Sequence, residues 1–342
     1  MKRLGLSLVG CGGIADAHLR AVSLLESQVR LVSTVDVDEA RAQAAAKKYG
    51  AAYWSTDYQK AFSDEAVDAA ILCLPHDLHA PVATAAAEAG LHVLCEKPLS
   101  LDAVEGWQMV RSFEQVDRVL MVGHSRRFSP GAAQAREIVQ SGQLGTILHV
   151  HSSLLSYIQQ ASTEWRRRNE CSGGYMVPIF GTHLVDLLLW VTDLVPLRVY
   201  CELSSYREEW EGDDEVSITL ALGDKQGRMI PASVQLSANC RMHDSRPQSR
   251  DELVVGGLEH TLTYNHSGRL FLDGTPVPLQ PSEQAALPTF ARQLQEFVSA
   301  IDEGRPPVSS GHEAARVMEV LDAAHKSARE HVVVVLNSGD TK

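Results

Sequence analysis

The chain has no excess of positive charge: 31 lysines and arginines against 43 acids leave a formal net charge of −12 over 342 residues. Nucleic acids and anionic membrane surfaces demand a basic face, so neither is the expected partner, and a bound anion has to be held locally. The six cysteines (11, 73, 95, 171, 201, 240) include no C-x-x-C pair. Several stand inside apolar runs, where a free thiol behaves as a small hydrophobe, which suits a reducing cytoplasm. No metal site is expected. No apolar run approaches the ~20 residues of a membrane span, and the few apolar residues before Gly10 are too short for a signal peptide. Internal repeats and low-complexity tracts are lacking too. At 342 residues the chain is too long for one ordinary domain, and 44% hydrophobic residues supply cores for two.

What is present is organised around Leu91 to Ser100, Leu-His-Val-Leu-Cys-Glu-Lys-Pro-Leu-Ser. Val93 to Cys95 reads as a short buried strand, and a carboxylate, an amine and a proline arrive together at its end. Open α/β sheets bind ligands beyond the carboxyl ends of their parallel strands, so Lys97 can face whatever the sheet binds. Upstream, Leu4 to Val9 reads as a strand that runs into Gly10-Cys11-Gly12-Gly13-Ile14-Ala15 and a helical pattern to about Glu26. In this G-x-G-x-x-[GA] arrangement Gly10 permits the tight turn, Gly12 lets backbone approach a pyrophosphate, and Ala15 keeps helix and strand close. The helix N-terminus then holds the anion. Arg30 to Val35 is a second strand, and Asp36 stands at its end, where an acid accepts both ribose hydroxyls. Residue 37 is Val, with no arginine immediately behind the acid to pair a 2′-phosphate. NAD is therefore expected over NADP, and Arg41 is the residue that speaks for NADP.

Further along, Ala40 to Lys48 reads as a helix ended by Gly50, and Asp57-Tyr58 begins another. Strand-like Ala69 to Leu74 leads into the turn Pro75-His76-Asp77-Leu78-His79 and the Ala-rich helix Pro81 to Ala89, closed by Gly90. A helix from about Leu101 to Ser112 and a strand from Val119 to Val122 follow, so strands alternate with helices and the sheet should be parallel and doubly wound. The expected cofactor contacts are Gly10, Gly12, Gly13, Ile14, Asp36, Leu74, Pro75, His76, His79, Glu96 and Lys97. For His76 and His79 the competing readings are a loop residue and a capping or packing residue.

These motifs, with His18, Arg127-Phe128 after Gly123, and Trp165-Arg166 ahead of Gly173-Gly174, closely resemble the Gfo/Idh/MocA family of oxidoreductases. The resemblance covers nearly the whole chain, including Ser309 to Arg329. It implies a Rossmann domain followed by an α/β domain built on a large, mostly antiparallel open sheet. It also implies NAD(P)-dependent chemistry on sugars, cyclitols or related alcohols.

The second half carries its own antiparallel pattern: strand-forming runs at Ile147–Tyr157, Leu197–Leu203, Val216–Leu222, Met229–Ala238, Glu252–Gly256, Thr261–Tyr264 and Arg269–Leu272 alternate with turns. A helix over Thr182–Val191 interrupts them, and Phe290–Glu303 and Gly311–Glu330 are two more. The expected division is 1–122 for the nucleotide domain and 123–342 for a substrate-binding and oligomerisation domain. By the family's topology the helix at about 311–330 packs back on the first domain.

Oxidation of an alcohol needs a donor to the reacting oxygen, a proton acceptor and a cofactor carbon beside the substrate carbon. Lys97 suits the first role, the competing reading being an ion pair with Glu96 that only fixes the turn. The resemblance implies His183 for the second, since a histidine opens the helix that faces the Glu-Lys-Pro lysine in that family. The acid that commonly stands four residues earlier is Ile179 here, so nothing at that position can fix the imidazole tautomer. A capping role competes for His183. Tyr157 and Tyr175 are candidate relays or aromatic core. Two basic clusters, Arg126-Arg127 and Arg166-Arg167-Arg168, are either solvated surface or a sign that the substrate carries a carboxylate or phosphate. Expected substrate contacts are thus Arg127, Tyr157, Arg166, Tyr175 and Ile179. Arg241 to Arg250 reads as an exposed hairpin loop. The expectation is an NAD-dependent dehydrogenase or reductase acting on a secondary alcohol or ketone of a sugar, cyclitol or related polyol, forming a homodimer or homotetramer. Alternatives are transient oxidation by tightly held NAD during elimination or glycoside cleavage, and a dinucleotide-binding regulator.

Overall fold

The first six strands are almost wholly apolar because their sheet is buried on both faces: β1 (Leu4–Val9), β2 (Val29–Val35), β3 (Tyr53–Ser55), β4 (Ala69–Leu72), β5 (His92–Cys95) and β6 (Leu120–Val122). The computed structural model describes residues 3–241, 249–280 and 287–336. Every pair in this sheet is parallel, in the order β3-β2-β1-β4-β5-β6, so the order reverses between β1 and β4. That reversal opens a crevice at the strands' carboxyl ends. The helices between are α1 (Ala15–Leu24), α2 (Glu39–Tyr49), α3 (Tyr58–Phe62), α4 (His79–Glu88) and α5 (Ala103–Gln115). Asp38, Asp57 and Asp102 cap α2, α3 and α5 through their carboxylates. Gly50, at φ +73°, closes α2. β4 stops at Leu72, two residues short of the expected end, because the carbonyl of Leu74 turns to a histidine ring and Pro75 has no N–H to offer. α4 begins at His79 rather than Pro81, since the first turn of a helix has no partner for an N–H and tolerates proline.

The second sheet has nine strands: β7 (Ile147–Ser156), β8 (Val195–Ser204), β9 (Glu215–Gly223), β10 (Met229–Ser237), β11 (Ser249–Gly257), β12 (Thr261–Asn265), β13 (Leu270–Leu272), β14 (Thr275–Val277) and β15 (Val334–Val335). Their order is β14-β13-β12-β11-β7-β10-β9-β8-β15, antiparallel throughout except for β7 with β10. Alternation sets the faces: Val216, Ile218, Leu220 and Leu222 of β9 are buried while Ser217 and Thr219 between them are exposed. α6 (Pro130–Gln140) packs on α8 (Thr182–Thr192), which lies against β7 and β11; α7 (Asn169–Ser172) and a π turn, Val177–Gly181, precede α8. Together they form a helical stretch, Asn169–Thr192, of 24 residues whose length and composition would suffice to cross a bilayer. This revises the expectation of no such stretch. Its most apolar window is 78% buried inside the protein, as a core helix is.

The last helices are α9 (Thr289–Glu303) and α10 (Gly311–Glu330). The chain divides into two compact units, Met1–Ser125 with Glu283–Ala315, and Arg126–Ser282 with Arg316–Lys342. The first unit is therefore discontinuous in sequence: α9 packs on α1, and Ser309 returns to the end of β6, its carbonyl accepting from Val122 N–H at 2.9 Å. α10 supplies residues to both units.

Candidate functional site

At the carboxyl edge of the parallel sheet, Gly10 adopts φ +91°, and a Cβ there would come within 2.3 Å of the Cys73 carbonyl oxygen. Only glycine lets the chain turn against β4. A Cβ on Gly12 or Gly13 would meet nothing within 4 Å, so this stretch of backbone faces open space. No side chain caps α1, and Ile14, at its start, is 39% exposed. An open glycine turn at an uncapped helix start suits a pyrophosphate. Asp36 is fixed in place: Oδ2 accepts from Cys11 N–H at 2.7 Å and Oδ1 from Asp38 N–H at 2.9 Å. Its carboxylate keeps lone pairs for ribose hydroxyls. These residues fit a dinucleotide. Cys11 beside them stays a thiol, since burial and the Asp36 carboxylate push its pKa up to about 12.

Beyond β4 the two histidines turn inward. His79 is 0% exposed, with Nδ1 2.7 Å from the Pro98 carbonyl and Nε2 3.0 Å from that of Leu74. It ties the turn after β4 to the residue following Lys97. His76 is buried as well, its ring 5.8 Å from that of His79. Both side chains are thus turned to packing and backbone, while half-buried Leu74 and Pro75 remain at the edge. Burial lowers the pKa of His79, although the two carbonyls oppose it.

Glu96, at the end of β5, is also buried, and its Oε1 lies 2.7 Å from His18 Nε2 in α1. Oε2 accepts from the backbone N–H of Lys97 at 3.3 Å. A Cβ at Gly123 would stand 3.0 Å from Oε1, so glycine there leaves the carboxylate its room. His18 was not anticipated as a site residue. The signal was a histidine one turn into the helix that follows the glycine loop, with a buried acid at a strand end needing a partner.

In the second unit, the guanidinium of Arg127, 2% exposed, grips the 1%-exposed carboxylate of Asp186 with Nε at 3.1 and 3.0 Å from the two oxygens and Nη2 at 2.5 Å. The residue expected at the substrate thus forms a buried ion pair. Arg126 likewise holds Asp251 at 2.9 and 2.7 Å. Asp186 lies in α8 three residues after His183, which is half-buried near the start of that helix. Upstream, Asp213 accepts from Tyr175 N–H at 3.1 Å and Val177 N–H at 2.7 Å, anchoring the stretch that leads to His183. Ile179 is 3% exposed within the π turn. Tyr175 stacks on Trp210 at 4.1 Å, and burial raises its pKa. The Tyr157 hydroxyl accepts from Arg241. Arg166 lies over the Trp165 ring at 5.2 Å and donates to Ser162 Oγ at 2.6 Å. Of the expected loop Arg241 to Arg250, residues 242–248 lie outside the described residues.

The sequence matches the family model "Oxidoreductase family, NAD-binding Rossmann fold" over residues 4–124 and "GFO/IDH/MocA C-terminal domain" over 132–263. The chain belongs to the Gfo/Idh/MocA family. This family member is 26% identical over 338 residues to D-xylose 1-dehydrogenase (NADP(+)) 2 of Haloferax volcanii, covering 96% of this chain and 99% of that one. It is 27% identical over 335 residues to inositol 2-dehydrogenase of Rhizobium meliloti, covering 94% and 96%. Its fold is that of levoglucosan dehydrogenase in complex with NADH and levoglucosan, with a TM-score of 0.86 at 22% identity over 98% of this chain and 100% of that one. By family and fold the chain is an oxidoreductase with an NAD-binding Rossmann domain.

Proposed function

We propose that this enzyme transfers a hydride between NAD and a secondary alcohol or ketone of a sugar, cyclitol or related polyol. The observation that carries the reading is the carboxyl edge of the first sheet, where the open Gly12-Gly13 turn, the immobilised Asp36 carboxylate and the Glu96-Lys97 pair end strands of one parallel sheet. NAD, when bound, supplies the hydride acceptor. Gly10 to Ile14 hold its pyrophosphate and Asp36 its ribose. Lys97 donates a hydrogen bond to the carbinol oxygen and stabilises the negative charge that builds there as the proton leaves. The His18–Glu96 pair beneath it sets the backbone of the Lys97 turn. His183 accepts the proton, on a helix anchored by Asp213 at its approach and by Arg127 through Asp186. With no acid at Ile179, Lys97 carries more of the oxygen's stabilisation than it would beside a carboxylate-paired imidazole.

Purified protein is denatured, released nucleotide is assayed, and NADH formation is screened over polyols and sugars. Stoichiometric trapped NAD without turnover would replace net oxidation by a transient redox cycle. With a substrate in hand, Lys97→Ala is expected to abolish hydride transfer while NAD binding stays nearly intact. His183→Ala is expected to cost ~10²-fold or more, as for a general base. A single-turnover rate for His183→Ala within about threefold of wild type would make that histidine structural.

A further inference from the structure

Within the first unit α9 packs on α1, and each helix brings one polar side chain to its buried side. Of the five residues buried in α1, four are apolar and the fifth is His18; of the six buried in α9, five are apolar and the sixth is Gln293. Phe290 links the two. Its ring meets that of His18 edge-on, with 5.0 Å between the centroids. Gln293 stands three residues after Phe290 in the same helix, and side chains at that spacing are neighbours on one face.

Both polar side chains are short of a partner. Gln293 is 0% exposed, and neither its Oε1 nor its Nε2 has a hydrogen-bond partner among the described residues. A buried amide in that condition is costly and calls for one. His18 is 1% exposed; its Nε2 lies 2.7 Å from Glu96 Oε1, while its Nδ1 has no partner among the described residues. Burial raises the pKa of Glu96, but the bond to His18 and the charges of His18 and Lys97 carry it below the ordinary glutamate range. As a carboxylate Glu96 only accepts, so the proton on this side of the imidazole sits on Nε2. His18 Nδ1 is then an acceptor in the neutral ring and a donor in the imidazolium. A side-chain amide serves either state, donating through Nε2 or accepting through Oε1.

We propose that Gln293 is a positioning residue: its amide, turned about its own side-chain bonds, hydrogen-bonds His18 Nδ1 and fixes the imidazole that holds Glu96 at the Lys97 turn. The pairing stands on the packing of α9 against α1, and its consequence for the reaction rests on the dehydrogenase reading above. Glu96 Oε2 accepts from the Lys97 N–H at 3.3 Å, so the orientation of His18 reaches the backbone of the residue that bonds the carbinol oxygen. Small misplacements of such a group are costly to the rate. Gln293 moves no proton; it acts by orientation alone, at one remove from the reacting atoms.

The test is a double-mutant cycle on the full chain: wild type, Gln293→Met, His18→Phe and the two together, unfolded in urea at pH 7. Methionine fills the space of glutamine without its polar atoms. An amide that bonds nothing is replaced by it without loss, whereas one that bonds His18 leaves Nδ1 stranded when it goes. Gln293→Met is therefore expected to lower the folded-to-unfolded ratio at least about fivefold in the wild-type background and less than about twofold in the His18→Phe background. His18→Met supplies the second background if His18→Phe does not fold. No loss in the wild-type background, or the same loss in both, would overturn the pairing. With a substrate in hand, Gln293→Met is expected to slow single-turnover hydride transfer at least about fivefold while KM for the alcohol and Kd for NAD stay within about twofold, and to add no slowing to His18→Phe. A rate within about twofold of wild type would overturn the positioning role and leave the dehydrogenase reading standing. If no sugar or polyol is oxidised, the dehydrogenase reading fails, and the urea cycle still decides whether Gln293 holds His18.

Discussion

Glu96 shows what a single buried acid does at the edge of this sheet. Burial alone would raise its pKa, but the hydrogen bond with His18, the field of His18 and Lys97, and the Lys97 N–H outweigh that, and the net value lies below the ordinary glutamate range. A depressed carboxylate pKa means the unfolded chain takes up the proton first as pH falls. The stabilisation is therefore complete above ~4.3, the unfolded value, and is lost as pH drops through the lower folded value. Urea unfolding of wild type and Glu96→Gln should show a stability gap that is widest near pH 7 and closes in acid; a gap unchanged from pH 7 to pH 3 would contradict this assignment. Asp36 makes a second prediction at this scale. Its carboxylate is held by two backbone N–H groups, and on the proposed reading it takes the ribose hydroxyls and repels a 2′-phosphate. NAD should bind at least about tenfold tighter than NADP, ~1.4 kcal/mol, and Asp36→Ala should narrow that gap. Equal affinities on titration of the wild type would refute it.

Among elements, α8 carries a buried ion pair, Asp186 with Arg127. Removing one member of a buried, hydrogen-bonded ion pair strands the other charge, so Arg127→Met or Asp186→Asn should each cost ~3–5 kcal/mol in urea unfolding. Replacing both together, as Arg127→Met with Asp186→Leu, should recover much of that loss, because no uncompensated charge remains. Additive losses in the double variant would show that the two side chains act separately. Element legibility varied for physical reasons. The glycine turn, β1, α1 and the Asp-capped helices were readable because strand alternation, capping and positive φ are local properties. β3 was missed since three residues, Tyr-Trp-Ser, carry too little pattern. α6 was missed as well, though Ser129 caps it and Pro130 opens it. The stacking of Tyr175 on Trp210 was not readable, since the two rings meet only through the fold.

For the whole molecule, the second sheet leaves one face turned outward, where Tyr200 at 36% exposure, Met229 at 59% and alternate residues of β9 and β10 face solvent. A broad outward sheet face flanked by the short edge strands β14 and β15 is a surface that a second copy can cover. Self-association as a dimer or tetramer is the expected outcome in sedimentation at micromolar concentration, and a monomer there would refute it.

The sequence by itself determined the parallel nucleotide-binding sheet, the antiparallel sheet after it, the glycine turn, Asp36 and the placing of Lys97 at a strand end. Each follows from short-range periodicity or from a residue's place at the end of its own element. Tertiary structure alone decided what the polar side chains do with one another. His18 meets Glu96 across 78 positions, and Arg127 meets Asp186 across 59. The ring of His79 turns inward to two carbonyls, and Ile179 is buried within the π turn. Such pairings depend on which strands lie side by side and on how much water is excluded, and a one-dimensional pattern encodes neither.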